Sequence, residues 1–281
     1  MKISVITINY NDKIGLEKTI KSVVNQSYTD FEFLVIDGKS TDGSIEIIEE
    51  YKSKIDFWVS EQDSGIYNAM NKGIRAAQGE FIIFMNAGDT FFNNKVLSKV
   101  NPLLNAEIGI YYGNLIFKIN EKQTKLCRPP SVLSFSYFVD FSLPHQATFI
   151  KKQLFDNHFF YNENLKIMSD WEFNFVCICK QNVPYKHLDI LIANFDNSGI
   201  SSNPKNENEI SKEREIIYLK HFPLFLEDSN KLNLINSKRF LQIINIKDNK
   251  WRWKFLKAFL NLLSIFKPKT KTYFSKYFLD V

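Results

Sequence analysis

The sequence predicts an α/β fold, with a mostly parallel central sheet flanked by helices and a helical C-terminal extension. Short apolar runs alternate with amphipathic segments over about the first 90 residues, as in consecutive β-α-β units. Residues 81–85 are apolar at every position, which indicates a strand covered on both faces, as in a parallel sheet. Beyond residue 208 the chain is aromatic and has the pattern of helices.

Strands and helices alternate in order through this first part of the chain. Strands are expected at residues 2–9, 32–37, 56–60 and 80–86. Of the helices between them, the third gives the clearest signal, an apolar face built by Ile66, Ala69, Met70, Gly73, Ile74 and Ala77. Crossovers of this kind are right-handed, and they bring ligand-binding groups to the carboxyl ends of the strands.

The pattern loosens after residue 89. Strands are expected at residues 110–119, 147–150 and 185–191, a helix at residues 171–180, and a polar loop rich in Asn and Ser at residues 194–208.

Composition and charge exclude several classes of protein. The net charge of +5 is uneven, since residues 250–281 carry +7 and residues 1–249 carry −2. We therefore expect no general nucleic-acid surface. The N-terminus does not resemble a signal peptide, and no run of eighteen apolar residues suggests a membrane span. Cys127, Cys177 and Cys179 form neither a disulfide framework nor a metal-ligand pattern, so we expect buried thiols and a reducing cytoplasmic setting.

Polar residues follow three of the predicted strands, at Thr7 and Asn9, at Asp37, and at Asn86 and Asp89. Asp37 can accept hydrogen bonds from a base or ribose, or it can serve a turn. Asp89 offers the oxygen ligand that hard divalent cations prefer, although an aspartate after a strand is also a common turn residue. The first strand lacks the glycine patterns of dinucleotide-binding and P-loop proteins, which argues against both classes.

Four motifs together give a specific resemblance. They are ITINYN at residues 6–11, VIDGKSTDGS at 35–44, SEQDSGIYNAMNKG at 60–73 and FMNAGD at 84–89. In this order they closely resemble family 2 glycosyltransferases with the GT-A fold. The third and fourth motifs are similar to the subgroup that builds bacterial capsule, O-antigen and colanic-acid-type polysaccharides.

The resemblance implies a role for each conserved position of these motifs. Nucleotide-sugar binding, most often of uridine diphosphate sugars, would involve Thr7, Asn9, Asp37, Asp63, Gly65, Asn68 and Asn86. Asp89 would bind Mg²⁺ or Mn²⁺ on the diphosphate. Many members carry adjacent carboxylates here, whereas Gly88 precedes Asp89 in this chain, so fewer protein ligands are available.

Two later segments also match the family. His145 and Gln146 resemble a motif near the active site and would contact the acceptor or diphosphate, while a buried, hydrogen-bonded histidine is the alternative. Asp170, in SDWEF at residues 169–173, matches the family's catalytic base, and helix capping is the alternative. Glu172 is a weaker candidate, expected on the solvent side. Residues 199–202 resemble a loop that closes over the donor, or they form a plain surface loop.

Residues 250–281 form a basic segment rich in Trp, Phe and Tyr. Polar residues recur there at helical spacing, at Lys254, Lys257, Asn261 and Ser264, which predicts an amphipathic helix. Such a helix suits an anionic membrane surface. Packing on the catalytic domain or in a homodimer is the alternative.

The resemblance thus implies a cytoplasmic, inverting glycosyltransferase on the inner face of the cell membrane. It would transfer a sugar from a UDP-sugar to a saccharide, such as a polyprenyl-diphosphate-saccharide. Residues 1–200 would form the catalytic domain, with a nucleotide-sugar half at 1–90 and an acceptor half at 91–200, and residues 201–281 the extension. One alternative is a degenerate nucleotide-sugar-binding scaffold. Another is a sugar nucleotidyltransferase, which would need a Gly- and Arg-rich loop after the first strand that residues 7–11 lack.

Overall fold

The computed structural model describes residues 3–120, 123–196, 199, 204–225 and 237–264. The chain divides into two compact units, Met1–Leu226 and Glu227–Val281. The first contains the sheet and its covering helices, and the described residues of the second, 237–264, form two helices. The predicted boundary at residue 200 between a catalytic domain and an extension stays a prediction.

The described residues of the first unit form one nine-stranded sheet. Its strands are β1 (Ile3–Asn9), β2 (Phe31–Asp37), β3 (Phe57–Ser60), β4 (Phe81–Phe84), β5 (Thr90–Phe91), β6 (Ile110–Asn120), β7 (Gln123–Cys127), β8 (Thr148–Lys151) and β9 (Tyr185–Asp196). The order is β3-β2-β1-β4-β8-β6-β9-β5, and β7 pairs with β6. Strands β1 to β4 are mutually parallel, as predicted. The sheet changes direction at β8, which is antiparallel to both β4 and β6.

The α-helices described in the first unit are α1 (Lys13–Val24), α2 (Ser44–Glu50), α3 (Ile66–Ala76), α4 (Val96–Val100), α5 (Phe135–Asp140), α6 (Gln153–Asn157), α7 (Ser169–Cys179) and α8 (Glu207–His221). A short 3₁₀ turn, His145–Ala147, precedes β8. This α/β architecture, in which helices flank a central sheet whose strands β1 to β4 are parallel, confirms the predicted fold class.

Strand β1 is buried along its whole length because helices cover both of its faces. Val5 joins the core cluster that contains Leu16 and Ile20 of α1. Alternate residues point the other way, and there Ile6 lies directly against Gly73 of α3. The register then aligns Asn9 with Asp37, and Asp37 with Ser60, at one edge of the sheet.

The sheet has two halves, β1 to β4 on one side and β5 to β9 on the other, and they meet where β4 pairs with β8. Only Phe81 and Ile82 of β4 pair with β8, opposite Lys151 and Ile150. The ring of Phe81 adds an edge-on contact to Tyr111 of β6, with centroids 5.8 Å apart. Backbone pairing between the halves is therefore brief, and buried side chains supply much of the rest.

Two predictions for the second half were wrong in detail. The polar loop predicted at residues 194–208 is shorter, because β9 continues to Asp196 and α8 begins at Glu207. Asn194 belongs to the strand, where its amide donates to the Thr90 hydroxyl at 3.2 Å. Cys127, expected to be buried, is exposed on β7, whereas Cys177 is buried.

The described part of the second unit consists of α9 (Lys238–Lys247) and α10 (Lys250–Ser264). Trp251 and Phe255 are each 82% exposed on α10. Within the described ranges, no helix has both the length and the apolarity needed to cross a membrane. The rest of the predicted basic aromatic segment, residues 265–281, lies outside the described residues.

Candidate active site

A cavity of about 860 Å³ opens at the carboxyl ends of β1 and β2. The residues predicted from the sequence that line it are Asn9, Asp63, Gly65, Asn86, Asp89, His145, Gln146 and Asp170. Gly199 also lines it, while residues 200–202 of the predicted closing loop lie outside the described residues. Thr7, Asp37 and Asn68 do not line the cavity, and each supports a neighbouring group instead.

Asp37 lies fully buried behind the cavity and accepts four hydrogen bonds. Its Oδ1 accepts from Asn9 Nδ2 at 2.8 Å and from Ser40 Oγ at 2.6 Å. Its Oδ2 accepts from Ser60 Oγ at 2.6 Å and from the Ser40 backbone N–H at 2.9 Å. Asp37 therefore orients Asn9, whose own Oδ1 is buried without a hydrogen-bond partner among the described residues.

Thr7 and Asn68, like Asp37, form hydrogen bonds to neighbouring groups and do not line the cavity. The Thr7 hydroxyl donates to the backbone carbonyl of Met85 at 2.8 Å, which ties β1 to the end of β4. The Asn68 amide donates to Glu163 at 2.8 Å. Hydrogen bonds from Asn71 and Asn68 hold the pKa of Glu163 below its usual value, against the effect of burial. Whether either residue contacts a nucleotide sugar stays a prediction.

Asp63 forms the polar wall at the end of the cavity next to β2. Its Oδ1 accepts from Lys72 Nζ at 2.6 Å, and its Oδ2 lies against the backbone at Gly38. Burial lowers the pKa of Lys72, but hydrogen bonds to Asp63 and Glu61 outweigh it and leave that pKa above its usual value. Tyr10, 70% exposed, lies beside the same glycine. A fixed carboxylate beside an open aromatic ring suits the polar edge and the flat face of a base.

Helix α1 holds the loop at residues 86–89 that presents Asp89. Lys18 donates to the carbonyl of Gly88 at 2.8 Å, and Thr19 donates to the carbonyl of Asp89 at 2.6 Å. A Cβ at Gly15 would lie 2.8 Å from the Gly88 nitrogen, so only glycine permits this approach. Gly88 has φ of +94°, a conformation that disfavours the carboxylate residue many family members carry there.

His145 lies between the two catalytic candidates. Its Nε2 is 4.0 Å from Asp89 Oδ2, and its Nδ1 is 3.5 Å from Asp170 Oδ2. Asn86 Nδ2 lies 3.1 Å from Nε2, while Asn86 Oδ1 is buried without a partner among the described residues. The side chains of His145 and Asp170 are 20% and 17% exposed, so both reach the cavity.

Asp170 lies in the first turn of α7, and Tyr67 from α3 holds it from behind. The Tyr67 hydroxyl is 2.9 Å from Asp170 Oδ1 and 2.5 Å from the carbonyl of Ile167, so one hydrogen serves two acceptors. Burial and the Asp170 charge raise the pKa of Tyr67 well above its usual value. Tyr67 therefore remains a donor at neutral pH.

The segment leading into α7 is fixed by Glu213 of α8. This buried carboxylate accepts backbone hydrogen bonds from Lys166, Ile167 and Met168 at 2.6, 3.1 and 2.9 Å. It satisfies donors at the helix N-terminus, as a capping side chain does, although it comes from another helix. The position of Asp170 thus depends on α8 as well as on α7.

Glu172 was expected on the solvent side, and that prediction was wrong. It is fully buried, and its Oε1 accepts from His221 Nε2 at 2.6 Å and from Lys220 Nζ at 2.9 Å. Helix α7 is covered by α8 on this face, so the sequence alternation typical of an exposed helix face does not apply. Glu172 does not line the cavity, which leaves Asp170 as the carboxylate of α7 that does.

Sequence reasoning missed Tyr67 and Glu213. Tyr67 lies within a recognised motif, but its contact joins residues 103 positions apart. Glu213 lies on a helix whose sequence shows no distinct apolar face. The sequence around each of these two residues therefore gives no local signal of the contacts that they make.

Comparison with known proteins identifies the family. Residues 4–162 match the family described as "Glycosyl transferase family 2". A "PGL/p-HBAD biosynthesis glycosyltransferase" of Mycobacterium bovis is 24% identical over 247 residues, 86% of this chain and 92% of its own. A glycosyltransferase of Mycobacterium tuberculosis is 30% identical over 207 residues, 71% of this chain and 77% of its own.

Solved structures show the same fold. Staphylococcus aureus TarS 1-349 superposes with a TM-score of 0.61 at 20% identity, over 78% of this chain and 65% of that one. This chain therefore spans slightly less than two thirds of TarS 1-349. The mannosyltransferase PcManGT of Pyrobaculum calidifontis, solved with GDP-Man and Mn²⁺, has a TM-score of 0.60 at 15% identity, over 95% and 81%.

This fold, with a carboxylate-lined cavity at the strand ends, is the GT-A architecture. The chain belongs to glycosyl transferase family 2. The resemblance drawn from its four motifs is thereby confirmed.

Proposed function

We propose that this protein is an inverting glycosyltransferase that moves one sugar from a UDP-sugar to a saccharide acceptor in bacterial surface polysaccharide synthesis. One observation carries the proposal. Asp89, at the end of the donor half, and Asp170, on α7, face the same cavity with His145 between them. Inverting transfer needs a charge-stabilising group at the leaving diphosphate and a base at the acceptor, and these two carboxylates supply separate places for them.

The donor end of the cavity fits a nucleoside. Asn9 offers a buried amide oxygen that can accept from a base or ribose, and Asp63 and Tyr10 provide a carboxylate and an exposed ring. TarS 1-349 has been solved with UDP-GlcNAc, and PcManGT with GDP-Man. Uridine is proposed because it is the nucleoside most often used in the family that the motifs resemble.

The residues present fit a divalent cation at Asp89. The described residues contain no group of three or more His, Cys, Asp or Glu side chains arranged for a metal ion. The Asp89 carboxylate and the partnerless Asn86 oxygen nevertheless offer hard ligands on one loop, and diphosphate oxygens and water would complete the set. When bound, Mg²⁺ or Mn²⁺ supplies positive charge that stabilises the leaving diphosphate.

Asp170 serves as the general base in this mechanism. Its carboxylate accepts the proton of the acceptor hydroxyl while that oxygen forms a bond to the anomeric carbon from the face opposite the diphosphate. The bond from the anomeric carbon to the diphosphate oxygen breaks, and its electron pair leaves with the nucleoside diphosphate. Tyr67 and the Glu213-held segment keep the carboxylate in place through these steps.

The acceptor is proposed to be lipid-linked, with the protein on the cytoplasmic face of the membrane. The described part of α10 carries Lys250, Arg252, Lys254 and Lys257 and no acid. Its exposed Trp251 and Phe255 add the aromatic groups that suit a headgroup region. The alternative is that this helix forms a homodimer, and a vesicle-binding experiment would distinguish it from membrane binding.

The decisive test compares the wild type with Asp170→Asn across a panel of nucleotide sugars and Mn²⁺. The variant keeps one acceptor oxygen, which can serve Tyr67, and the nucleoside is proposed to bind at the other end of the cavity, so UDP binding measured by calorimetry without Mn²⁺ should be unchanged. Transfer should fall by about 10²-fold or more, because the base is lost. A retained kcat would contradict the base assignment. Absence of any transfer by the wild type, with donor binding intact, would favour the degenerate scaffold.

A further inference from the structure

We propose that His145 is a further protein ligand of the divalent cation at Asp89, besides the groups of the loop at residues 86–89, and that Asp170 is the carboxylate that orients it. The inference rests on the proposed metal-assisted transfer and gives that site a defined ligand set. It assigns Asp170 a positioning role on His145 in addition to its contact with the acceptor.

The spacing of the two ligand atoms admits an ion between them. Small divalent cations lie about 2.1 Å from oxygen or nitrogen ligands, so two ligands of one ion are at most about 4.2 Å apart. Asp89 Oδ2 and His145 Nε2 are 4.0 Å apart. The two groups come from different parts of the fold, the loop at residues 86–89 and the 3₁₀ turn before β8, and converge on one end of the cavity.

Hydrogen bonding from Asn86 places the imidazole lone pair on Nε2, the ring nitrogen that lies 4.0 Å from Asp89 Oδ2. A bound cation would take the place of the Asn86 amide as the partner of that lone pair. Asn86 Nδ2 lies 3.1 Å from His145 Nε2, and an amide N–H can donate to Nε2 only if that nitrogen carries a lone pair. In the neutral ring the proton is then on Nδ1, which faces Asp170 Oδ2 at 3.5 Å.

Asp170, His145 and the cation form the carboxylate–histidine–metal arrangement that recurs in metalloproteins. A histidine ligand donates its other ring N–H to a carboxylate, which fixes the tautomer and increases the basicity of the ligand. The 3.5 Å separation is long for a hydrogen bond, as is common in sites without their ligands. Asp170 Oδ1 is held by Tyr67 in the same way from the other side.

This ligand set compensates for Gly88, which stands where many family members have a carboxylate residue. The positive φ of Gly88 leaves the loop with one carboxylate where many family members have adjacent ones. An imidazole from the acceptor half replaces the missing ligand with a neutral nitrogen. Nitrogen ligands favour later transition metals over Mg²⁺, so we expect Co²⁺ and Mn²⁺ to bind more tightly than Mg²⁺.

The direct test is the electron spin-echo envelope modulation spectrum of Mn²⁺ bound to the full chain with UDP. The wild type should show a Mn–¹⁴N coupling that shifts to ¹⁵N when the protein contains ¹⁵N-histidine. The coupling should disappear in His145→Ala and persist in His158→Ala, a matched histidine outside the cavity. A wild-type spectrum without histidine coupling would overturn the proposal.

A double-mutant cycle tests the role of Asp170 on His145, with Mn²⁺ affinity in the presence of UDP as the readout. Asp170→Ala should weaken Mn²⁺ binding by about 10-fold, the lower range for losing a carboxylate behind a ligand. In the His145→Ala background it should have no further effect. An equal loss in that background would show that Asp170 acts on the cation without His145, which contradicts the positioning role.

Asp89→Ala separates this inference from the proposed function. It should abolish Mn²⁺ binding in the same assay, and the histidine coupling with it. If the coupling is present in the wild type but no sugar is transferred from any donor, the proposed function fails while the ligand assignment stands. If transfer occurs without the coupling, the ligand assignment fails alone.

Discussion

The Glu172 carboxylate is the most thoroughly buried charge next to the candidate base. Burial raises its pKa, but hydrogen bonds from His221 and Lys220 outweigh that effect, so its pKa lies below its usual value. A carboxylate with a lowered folded-state pKa stabilises the fold above its unfolded pKa of about 4.3. That contribution is lost as the pH falls through the lower, folded-state pKa.

Glu172→Gln should therefore remove both stability and part of its pH dependence. At pH 7 we expect a loss of about 2 kcal/mol in the free energy of unfolding, the usual range for hydrogen bonds to a charged group. The difference from wild type should shrink as the pH falls from 5 toward 3. Urea unfolding at several pH values measures it, with exposed Glu215→Gln as the matched control. An equal difference at all pH values would contradict this account.

At the residue scale, the sequence predicted well which side chains line the cavity. It predicted less well which side chains hold those residues in position. Asp89, His145 and Asp170 were singled out, and all three line it. Asp37 was expected to help hold a nucleoside; it is fully buried behind Asn9, and its contact with a ligand stays a prediction. Motif spacing places a residue at a strand end, but only the packed fold decides whether its side chain faces inward or outward.

Helix α8 controls the element that carries Asp170. Because Glu213 accepts hydrogen bonds from three consecutive backbone N–H groups, its loss releases the segment that also forms the Ile167 contact to Tyr67. A glutamine at this position would turn an N–H₂ group toward a backbone donor. An unsatisfied buried donor costs about 1–3 kcal/mol.

We accordingly expect Glu213→Gln to lower the Tm and to reduce kcat more than donor affinity. Donor binding depends on the other half of the cavity, so its dissociation constant should change little. Thermal unfolding, transfer kinetics and calorimetry with UDP measure the Tm, kcat and the donor affinity. Glu215→Gln, two positions along the same helix, should leave all three unchanged. A variant that loses donor binding and kcat in proportion would show a general loss of folding instead.

The elements predicted from the sequence are those with a long local pattern. Strands β1 to β4 and helix α3 were expected close to where they lie, because continuous apolar runs and a 3–4 spacing are unambiguous. Strands β5 and β7 and helices α4 to α6 were not predicted, since two to six residues are too short to show a period. The extension of β9 through Asn194 depends on its pairing with β5 and β6, which lie far away in sequence.

At the scale of the whole molecule, α10 and the residues that follow it can be removed without cutting the sheet. A chain ending at residue 249 should keep the Tm of the catalytic unit and its UDP affinity. Binding to anionic vesicles should fall by more than about tenfold, since each basic residue near such a surface contributes roughly 1 kcal/mol. Vesicle sedimentation measures this.

A full-length variant controls for misfolding of the truncated chain. Replacing Trp251, Phe255 and Phe259 with serine keeps the chain length and the charge, and the first two residues are the most exposed aromatics of α10. It should also lose vesicle binding. If the variant binds vesicles as the wild type does, or if the truncated chain unfolds, the helix packs on protein instead.

The brief pairing of β4 with β8 has a consequence for the history of such enzymes. Two residue pairs and one further backbone hydrogen bond, donated by Lys152 to Glu80, join β4 to β8 at this seam. Few backbone hydrogen bonds therefore need to be matched there when different strands are joined to β4. Divergence can therefore act on the two sides at different rates, and one inherited way of activating a sugar can be recombined with many recipients.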